Sequence, residues 1–182
     1  MRKFFDSINH TVLFELISRK VTDVRLLALL HKIIDSFHHS PGRGLPLGNV
    51  TSQLFANIYM NELDRFIKDT LKTKYYIRYC DDIVILHESD VLLSLFIEQI
   101  SSFLLLKLLM ELHPKKIEIR NLYQGVDFLG YLFLPFYRLL RTRTKQRVFK
   151  EIRRLKKGIA LGTITEKYLN QSLQSYRGML LH

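Results

Sequence analysis

The chain has one cysteine, Cys80, so no internal disulfide can form, and a free thiol fits a reducing compartment. Its start carries no secretory pattern, because Met1-Arg2-Lys3 runs into Phe-Phe-Asp and then polar residues. No internal repeat or low-complexity tract appears, which excludes stacked-repeat architectures. No glycine-rich turn follows a strand and opens a helix, which argues against a doubly wound fold. His31, His38, His39, His87 and His113 show no zinc-ligand spacing, and with one cysteine a structural zinc is not expected. Acids are scarce: 17 Asp and Glu stand against 28 Lys and Arg, a net charge of +11. Such a balance points to a polyanion, which nucleic acid or a membrane surface could equally provide. One apolar stretch, Val91 to Leu109, is long enough to span a bilayer. Glu98, Gln99 and Lys107 interrupt it, so a buried helix is expected and no membrane partner.

The 182 residues suit one domain, or one domain with a small appendage. At 47% hydrophobic residues the chain can bury a core, removing roughly 70% of its unfolded surface from water. Apolar residues recur at helical spacing over Asn9 to Arg19 and Asp23 to Phe37, with Leu26, Leu27, Leu30, Ile33, Ile34 and Phe37 on one stripe. Ser40 to Pro46 is a loop by its Pro and Gly content. A helix from about Asn49 to Leu71 follows, with Asn49, Thr51 or Ser52 able to cap it. A further helix is expected over Asp90 to Met110, capped by Ser89 or Asp90, then short strands at Lys116 to Arg120 and at Val126 to Phe133, the latter broken by Gly130. Beyond Pro135 the composition turns basic, and two helices are expected over about 144–157 and 165–181. Helices alternating with short strands indicate an α+β fold, built on a split βαβ sheet with helices on one face.

The most informative window is Tyr75 to Leu86, Tyr-Tyr-Ile-Arg-Tyr-Cys-Asp-Asp-Ile-Val-Ile-Leu. Two runs rich in β-branched and aromatic residues flank a pair of acids, which reads as strand, tight turn, strand with Asp81 and Asp82 at the tip. Paired carboxylates on a rigid hairpin are costly unless a cation neutralises them, and hard oxygen ligands suit magnesium. A hairpin that simply turns on Asp-Asp is the plainer reading of this window alone.

Three windows in fixed order weigh against that plainer reading. They are Gly44 to Gln53 (Gly-Leu-Pro-Leu-Gly-Asn-Val-Thr-Ser-Gln) running into Leu54-Phe55-Ala56-Asn57-Ile58-Tyr59, then Tyr79-Cys80-Asp81-Asp82, then Phe128-Leu129-Gly130-Tyr131. Together they resemble the palm of bacterial reverse transcriptases, the RNA-directed DNA polymerases of retroelements. Leu47 before Gly48, and Ser52-Gln53 after it, are most similar to the diversity-generating class, which copies a template RNA with frequent errors at adenines. Group II intron relatives usually carry Gln and Ser-Pro at those places. An apolar side chain instead of Gln takes a hydrogen-bonding group out of the nucleotide pocket, so a wrong base leaves fewer polar groups unpaired. Packing of the helix start is the alternative role for Leu47.

The resemblance implies a palm followed by a small helical thumb: 1–125 partial palm, 126–140 primer-grip hairpin, 141–182 basic thumb. It implies nucleotidyl transfer with two Mg²⁺ ions, Mn²⁺ being the substitute, with Asp81 bridging and Asp82 accessory. Lys116, or its neighbour Lys115, would stand near the triphosphate. Phe5 would occupy the steric gate that selects deoxynucleotides, and Gly48, Asn49, Ser52 and Gln53 would line nucleotide and template at the helix start. Phe128, Leu129, Gly130 and Tyr131 would grip the primer, and Arg141, Arg143, Lys145 and Arg147 would contact phosphates. Arg78 has two readings, a local ion pair or a primer–template contact. Ser175 to Leu180 resembles the thumb helix of the same class. The implied partners are an RNA template, a DNA or RNA primer, deoxynucleotides and a basic accessory protein, in the cytoplasm of a bacterium or from a phage gene.

A third metal-binding acid belongs five residues before the second Phe of Phe4-Phe5-Asp6-Ser7, which falls one place ahead of Met1. Asp6, six residues along an extended strand, would lie roughly 20 Å from that place at about 3.3 Å per residue. The resemblance therefore describes an N-terminally truncated palm, and two rivals stand beside it. One is a nucleic-acid-binding remnant without chemistry; the other is a group II intron-type enzyme.

Overall fold

A computed structural model describes Met1 and residues 3–181, with side chains of the last helix described as far as Gly178. Arg2 and His182 lie outside the described residues, as do the side chains of Met179 and Leu180 in the thumb-like ending. The chain forms two compact units, Met1–Ile119 and Arg120–His182. The division falls ahead of the boundary expected near residue 140, because the strands at 126–140 belong with the basic helices.

In the first unit the order is α1 (Phe4–Ser7), α2 (His10–Ser18), α3 (Val24–Asp35), α4 (Val50–Arg65), β1 (Tyr75–Tyr79), β2 (Asp82–Leu86) and α5 (Asp90–Leu108). Four of these helices start where a short polar side chain takes an orphan backbone N–H. Asn9 accepts from Val12, Asp23 from Leu26, Asn49 from Thr51 and Ser89 from Leu92. α4 continues through a π-helical turn, Phe66–Thr70, so its apolar face runs unbroken from Phe55 through Tyr59 and Leu63 to Ile67. That face is the centre of the core, together with Ile8, Leu13 and Ile17 before it and Leu104 and Leu108 after it.

Tyr59 is fully buried and anchors three segments. Its hydroxyl donates to the Leu108 carbonyl at 2.5 Å and accepts from the Asn9 amide at 3.3 Å. The loop between α3 and α4 is laced to the chain start by bonds from His10 N–H to Gly42, Gly44 N–H to Ile8 and Leu45 N–H to Phe5. Gly44 is required there twice over. Its φ is +110°, and a Cβ would sit 2.8 Å from the His39 nitrogen.

The second unit holds β3 (Val126–Phe128), β4 (Tyr131–Phe133), β5 (Arg138–Leu140), α6 (Thr142–Ala160) and α7 (Glu166–Leu181). β3, β4 and β5 form an antiparallel meander in that order. The β3–β4 turn has Phe128 opposite Tyr131, and both residues between them are left-handed, Leu129 at φ +52° and Gly130 at φ +85°. Two positive φ values in a two-residue loop match the twist of the strands, which explains the glycine.

Four expectations are corrected. The chain start is not extended: Phe4–Ser7 is a helical turn, because Phe4 and Ile8 both enter the core. The extended-strand distance to Asp6 therefore does not hold, and its carboxylate stands 3.7 Å from His39. Residues 116–120 form no strand. Pro114, which has no N–H, opens a single 3₁₀ turn, Pro114–Lys116, and Arg120 already belongs to the second unit. With neither segment extended beside it, the β1–β2 hairpin stands as its own sheet rather than in a split βαβ sheet.

The fourth concerns α5, which is not enclosed. Only Ile100, Leu104 and Leu108 are buried, while Val91 and Leu106 are more than 70% exposed. One stripe suffices for packing on α4, with Phe103 stacked on Phe66 at 4.3 Å, while Val91, Leu95, Leu105 and Leu106 stay exposed. Among the described residues α5 is the one helix long and apolar enough to cross a membrane.

Burial pushes the Tyr59 hydroxyl up from 10.0 to about 12, against small opposing effects from the Asn9 amide and Arg43. A raised acid of this kind stabilises the fold fully below pH 10 and loses that contribution as pH climbs toward 12. Tyr59→Phe should lower stability by about 1 kcal/mol at neutral pH, by loss of a buried bond. The variant should also lose part of the alkaline decline between those pH values, read by urea denaturation.

Candidate active site

β1 and β2 pair in register from Tyr75 opposite Leu86 to Tyr79 opposite Asp82, which leaves Cys80 and Asp81 as a two-residue loop. Cys80 has φ +51°, a conformation usually given to glycine at the first position of such a turn. A non-glycine residue held there stores about 1–3 kcal/mol, so something else must fix the tip. Arg78 does. Its Nε and Nη2 donate to the two oxygens of Asp64 at 2.7 and 2.6 Å, a bidentate pair between hairpin and α4. Its remaining nitrogen, Nη1, donates to the Cys80 carbonyl at 3.0 Å and to Asn57 Oδ1 at 3.4 Å. Tyr76 adds a bond from its hydroxyl to Asp64 at 2.6 Å.

The charges in this network support one another. Burial alone would raise the Asp64 carboxyl, but the bonds from Arg78 and Tyr76 outweigh it and hold the group below the usual carboxylate range. Burial, then the Asp64 carboxylate, pushes the Tyr76 hydroxyl far up. At neutral pH the group is Arg⁺, Asp⁻ and neutral phenol, with all three guanidinium nitrogens and the phenol hydroxyl donating.

Asp81 and Asp82 therefore project from a fixed corner. The Asp81 side chain is 36% exposed and its Oδ2 lies 3.9 Å from the Met1 nitrogen, so the chain start passes beside the tip. Asp82 is exposed, and among the described residues no Lys, Arg or His side chain pairs with either acid. Two neighbouring solvent-accessible carboxylates are a donor set that fits a hard divalent ion. Where the loop meets α4, Leu47, Gly48, Asn49 and Gln53 are exposed. Leu47 is 76% exposed, so it does not pack the helix start. Asn49 caps the helix, and Ser52 is buried on the same face as Phe55 and Tyr59, turned away from solvent.

Phe5 is half-buried beside Phe4, and its carbonyl holds the Leu45 amide, so the chain start and the Gly48 loop are tied. Lys115 and Lys116 are both exposed on the 3₁₀ turn. In the second unit, Leu129 and Gly130 make the β3–β4 turn, flanked by Phe128, which is buried, and Tyr131. Arg141 is held by Asp127 in a bidentate pair, with Nε to Oδ2 at 2.6 Å. Arg143, Lys145 and Arg147 remain exposed on α6, whose eight basic residues accompany one acid, Glu151.

The Asp64 partnership was missed from sequence, although a signal existed. Tyr76 and Arg78 lie two apart on one strand face, and Asn57 and Asp64 lie seven apart on one helix face. Paired polar residues on the inward faces of two adjacent elements mark a bridge.

Residues 1–133 match the family model described as reverse transcriptase (RNA-dependent DNA polymerase). The group II intron-encoded protein LtrA of Lactococcus lactis subsp. cremoris is 36% identical over 77 residues, 39% of this chain and 13% of that protein. Protein YkfC of Escherichia coli (strain K12) is 32% identical over 75 residues, 38% of this chain and 20% of that protein. A longer match, 22% identical over 193 residues, is to a putative COX1/OXI3 intron 2 protein of Saccharomyces cerevisiae, covering 72% of this chain and 23% of that protein. The chain thus spans between about an eighth and a quarter of the length of these relatives.

Asp64→Asn or Arg78→Lys should each destabilise the first unit by roughly 1–3 kcal/mol, since either leaves the partner incompletely bonded. Asp64 is depressed, so its contribution is present above the ordinary carboxylate range and lost as pH falls through its lowered value. The gap between wild type and Asp64→Asn should accordingly close in acid. Urea denaturation across pH measures this, and a gap that stays constant would count against the network.

Proposed function

The chain belongs to the reverse transcriptase family of RNA-directed DNA polymerases, and on that premise we propose that it supplies the metal-gripping hairpin and primer-holding parts of an enzyme that adds deoxynucleotides to a primer 3′-hydroxyl. The observation that carries this reading is the Asp81–Asp82 corner, fixed by Arg78 yet open to solvent. Asp81 and Asp82 would hold magnesium or manganese, whose chemistry when bound is to neutralise phosphate oxygens and favour the ionised 3′-hydroxyl. The protein's own part is positional. Arg78 and Asp64 keep the acids from moving, Phe5 stands as the gate against ribonucleotides, and Asn49 fixes the helix start beside Gly48. Lys116 is assigned to the triphosphate, and Leu129, Gly130, Arg143, Lys145 and Arg147 to the primer–template backbone. Arg78 and Arg141 act through Asp64 and Asp127 rather than on nucleic acid.

The third acid would enter directly ahead of Met1, and the 3.9 Å approach of the Met1 nitrogen to Asp81 supports that position. The test therefore expresses the chain together with the reading frame preceding Met1 in its gene, and follows primer extension on an RNA template. Asp81→Asn and Asp82→Asn should each lower extension by about 10²–10³-fold or more, with primer–template affinity little changed. Unimpaired extension by these variants would remove the proposal. Tight binding with no extension by the unmodified protein would favour the binding remnant.

Two subclasses fit. The Leu47 and Ser52-Gln53 pattern supports an error-prone, diversity-generating enzyme that works with a basic accessory protein, and the exposure of Leu47 leaves its side chain available to a nucleotide. The likeness to LtrA, a group II intron-encoded protein, supports a group II intron-type enzyme. Fidelity separates them. In the first case errors concentrate at template adenines and fall several-fold in Leu47→Gln; uniform errors, unchanged by that substitution, favour the second.

A further inference from the structure

His10 is buried at the start of α2, and only one of its ring nitrogens has a hydrogen-bond partner. Nε2 lies 2.7 Å from the Gly44 carbonyl, which can only accept, so Nε2 carries the hydrogen. In that tautomer Nδ1 offers a lone pair. That atom is sealed from solvent without a hydrogen-bond partner, although the side chain is only 6% exposed. It faces Asp35 Oδ1 at 3.5 Å. Two electron-pair donors turned on each other at that distance call for positive charge between them. His38 completes the group: its ring lies 4.9 Å from that of His10, and the ligand atoms of His10, Asp35 and His38 all lie within 4.8 Å of one another.

We propose that these three side chains form a binding site for a zinc-class divalent transition metal, separate from the Asp81–Asp82 corner. Zinc bonds to His and carboxylate are about 2.0–2.2 Å, which puts neighbouring ligand atoms of a tetrahedron about 3.3–3.5 Å apart. The His10–Asp35 pair already has that spacing, and His38, exposed on a loop, needs to close by at most about 1.5 Å. The surrounding residues match what a metal-bound imidazole and carboxylate ask of their neighbours. The Gly44 carbonyl fixes the His10 tautomer, and His31 Nδ1, 2.8 Å from Asp35 Oδ2, orients the carboxylate. Two imidazoles select zinc-class ions over magnesium, whereas the all-oxygen corner at Asp81 does the reverse. The fourth position is left to water. Sequence spacing could not disclose the site, because His10 comes from the start of α2 while Asp35 and His38 lie at the end of α3 and just after it. A bound ion would clasp those ends together and hold the loop whose Gly44 and Leu45 amides tie it to the chain start.

The test uses the whole chain, stripped with chelator, and metal alone. Titration with Zn²⁺ by calorimetry should give one equivalent bound. Co²⁺ should give tetrahedral visible bands that zinc displaces and excess Mg²⁺ does not. The thermal midpoint should rise with zinc concentration, as ligand linkage requires. His38→Ala and Asp35→Asn, both at exposed positions, should keep the metal-free midpoint yet lose the cobalt bands and at least tenfold in zinc affinity. His31→Ala should weaken binding by about 10–100-fold. The proposal is overturned if stoichiometric zinc produces neither heat nor midpoint shift, the outcome if a proton on His10 fills the gap. Binding that survives in both His38→Ala and Asp35→Asn overturns it equally, since the metal would then sit elsewhere.

Discussion

A guanidinium with all its arms engaged, Arg78, ties the acid hairpin to the helix beneath it, and the candidate chemistry depends on that tie. The hairpin has only two strands, and an isolated pair of strands is marginal in water. Its tip also contains a left-handed cysteine, an unfavourable conformation for a residue with a side chain. The Asp64 pair compensates for both. It anchors the outer strand to α4, and the Cys80 carbonyl bond braces the turn one residue from Asp81. A bidentate pair is directional as well as strong, so it fixes orientation and not only distance.

Much of this arrangement could be read from the amino-acid order, because local rules decided it. Asn49 and Ser89 announced the starts of α4 and α5, and the β-branched runs around Asp81 announced the hairpin. The break expected at Gly130 falls in the two-residue turn between β3 and β4. What failed was decided by tertiary packing. Lys116 to Arg120 alternates like a strand but has no neighbouring edge, and Pro114 draws its start into a 3₁₀ turn. Phe4 and Ile8 pull the chain start into a helical turn that no periodicity in so short a segment could forecast. The polar breaks at Glu98, Gln99 and Lys107 predict an enclosed α5 rather than a membrane span, yet composition shows what a helix tolerates, not what covers it.

The candidate site divides in the same way. The acids and the exposed Leu47–Gly48 corner follow from motif order, whereas the parts played by Arg78 and Ser52 depended on knowing which way each side chain turns. Arg141 is similar: it sits among basic residues in sequence but spends its fork on Asp127. Basic character in a stretch such as α6 is a collective property. The individual arginine within it is a matter of geometry.

The alternation of β1 gives the Arg78 tie a further consequence. Side chains switch faces at every residue of a strand, so sliding one strand by a single step would turn Tyr76 and Arg78 outward and present their neighbours to α4. The same step would rotate the carboxylates away from where they now point. A replacement at Cys80 would accordingly leave the register in place, whereas an added or deleted residue between Tyr76 and Asp82 would break helix contact and acid placement together. The corner is thus tolerant of substitution and intolerant of a change in length.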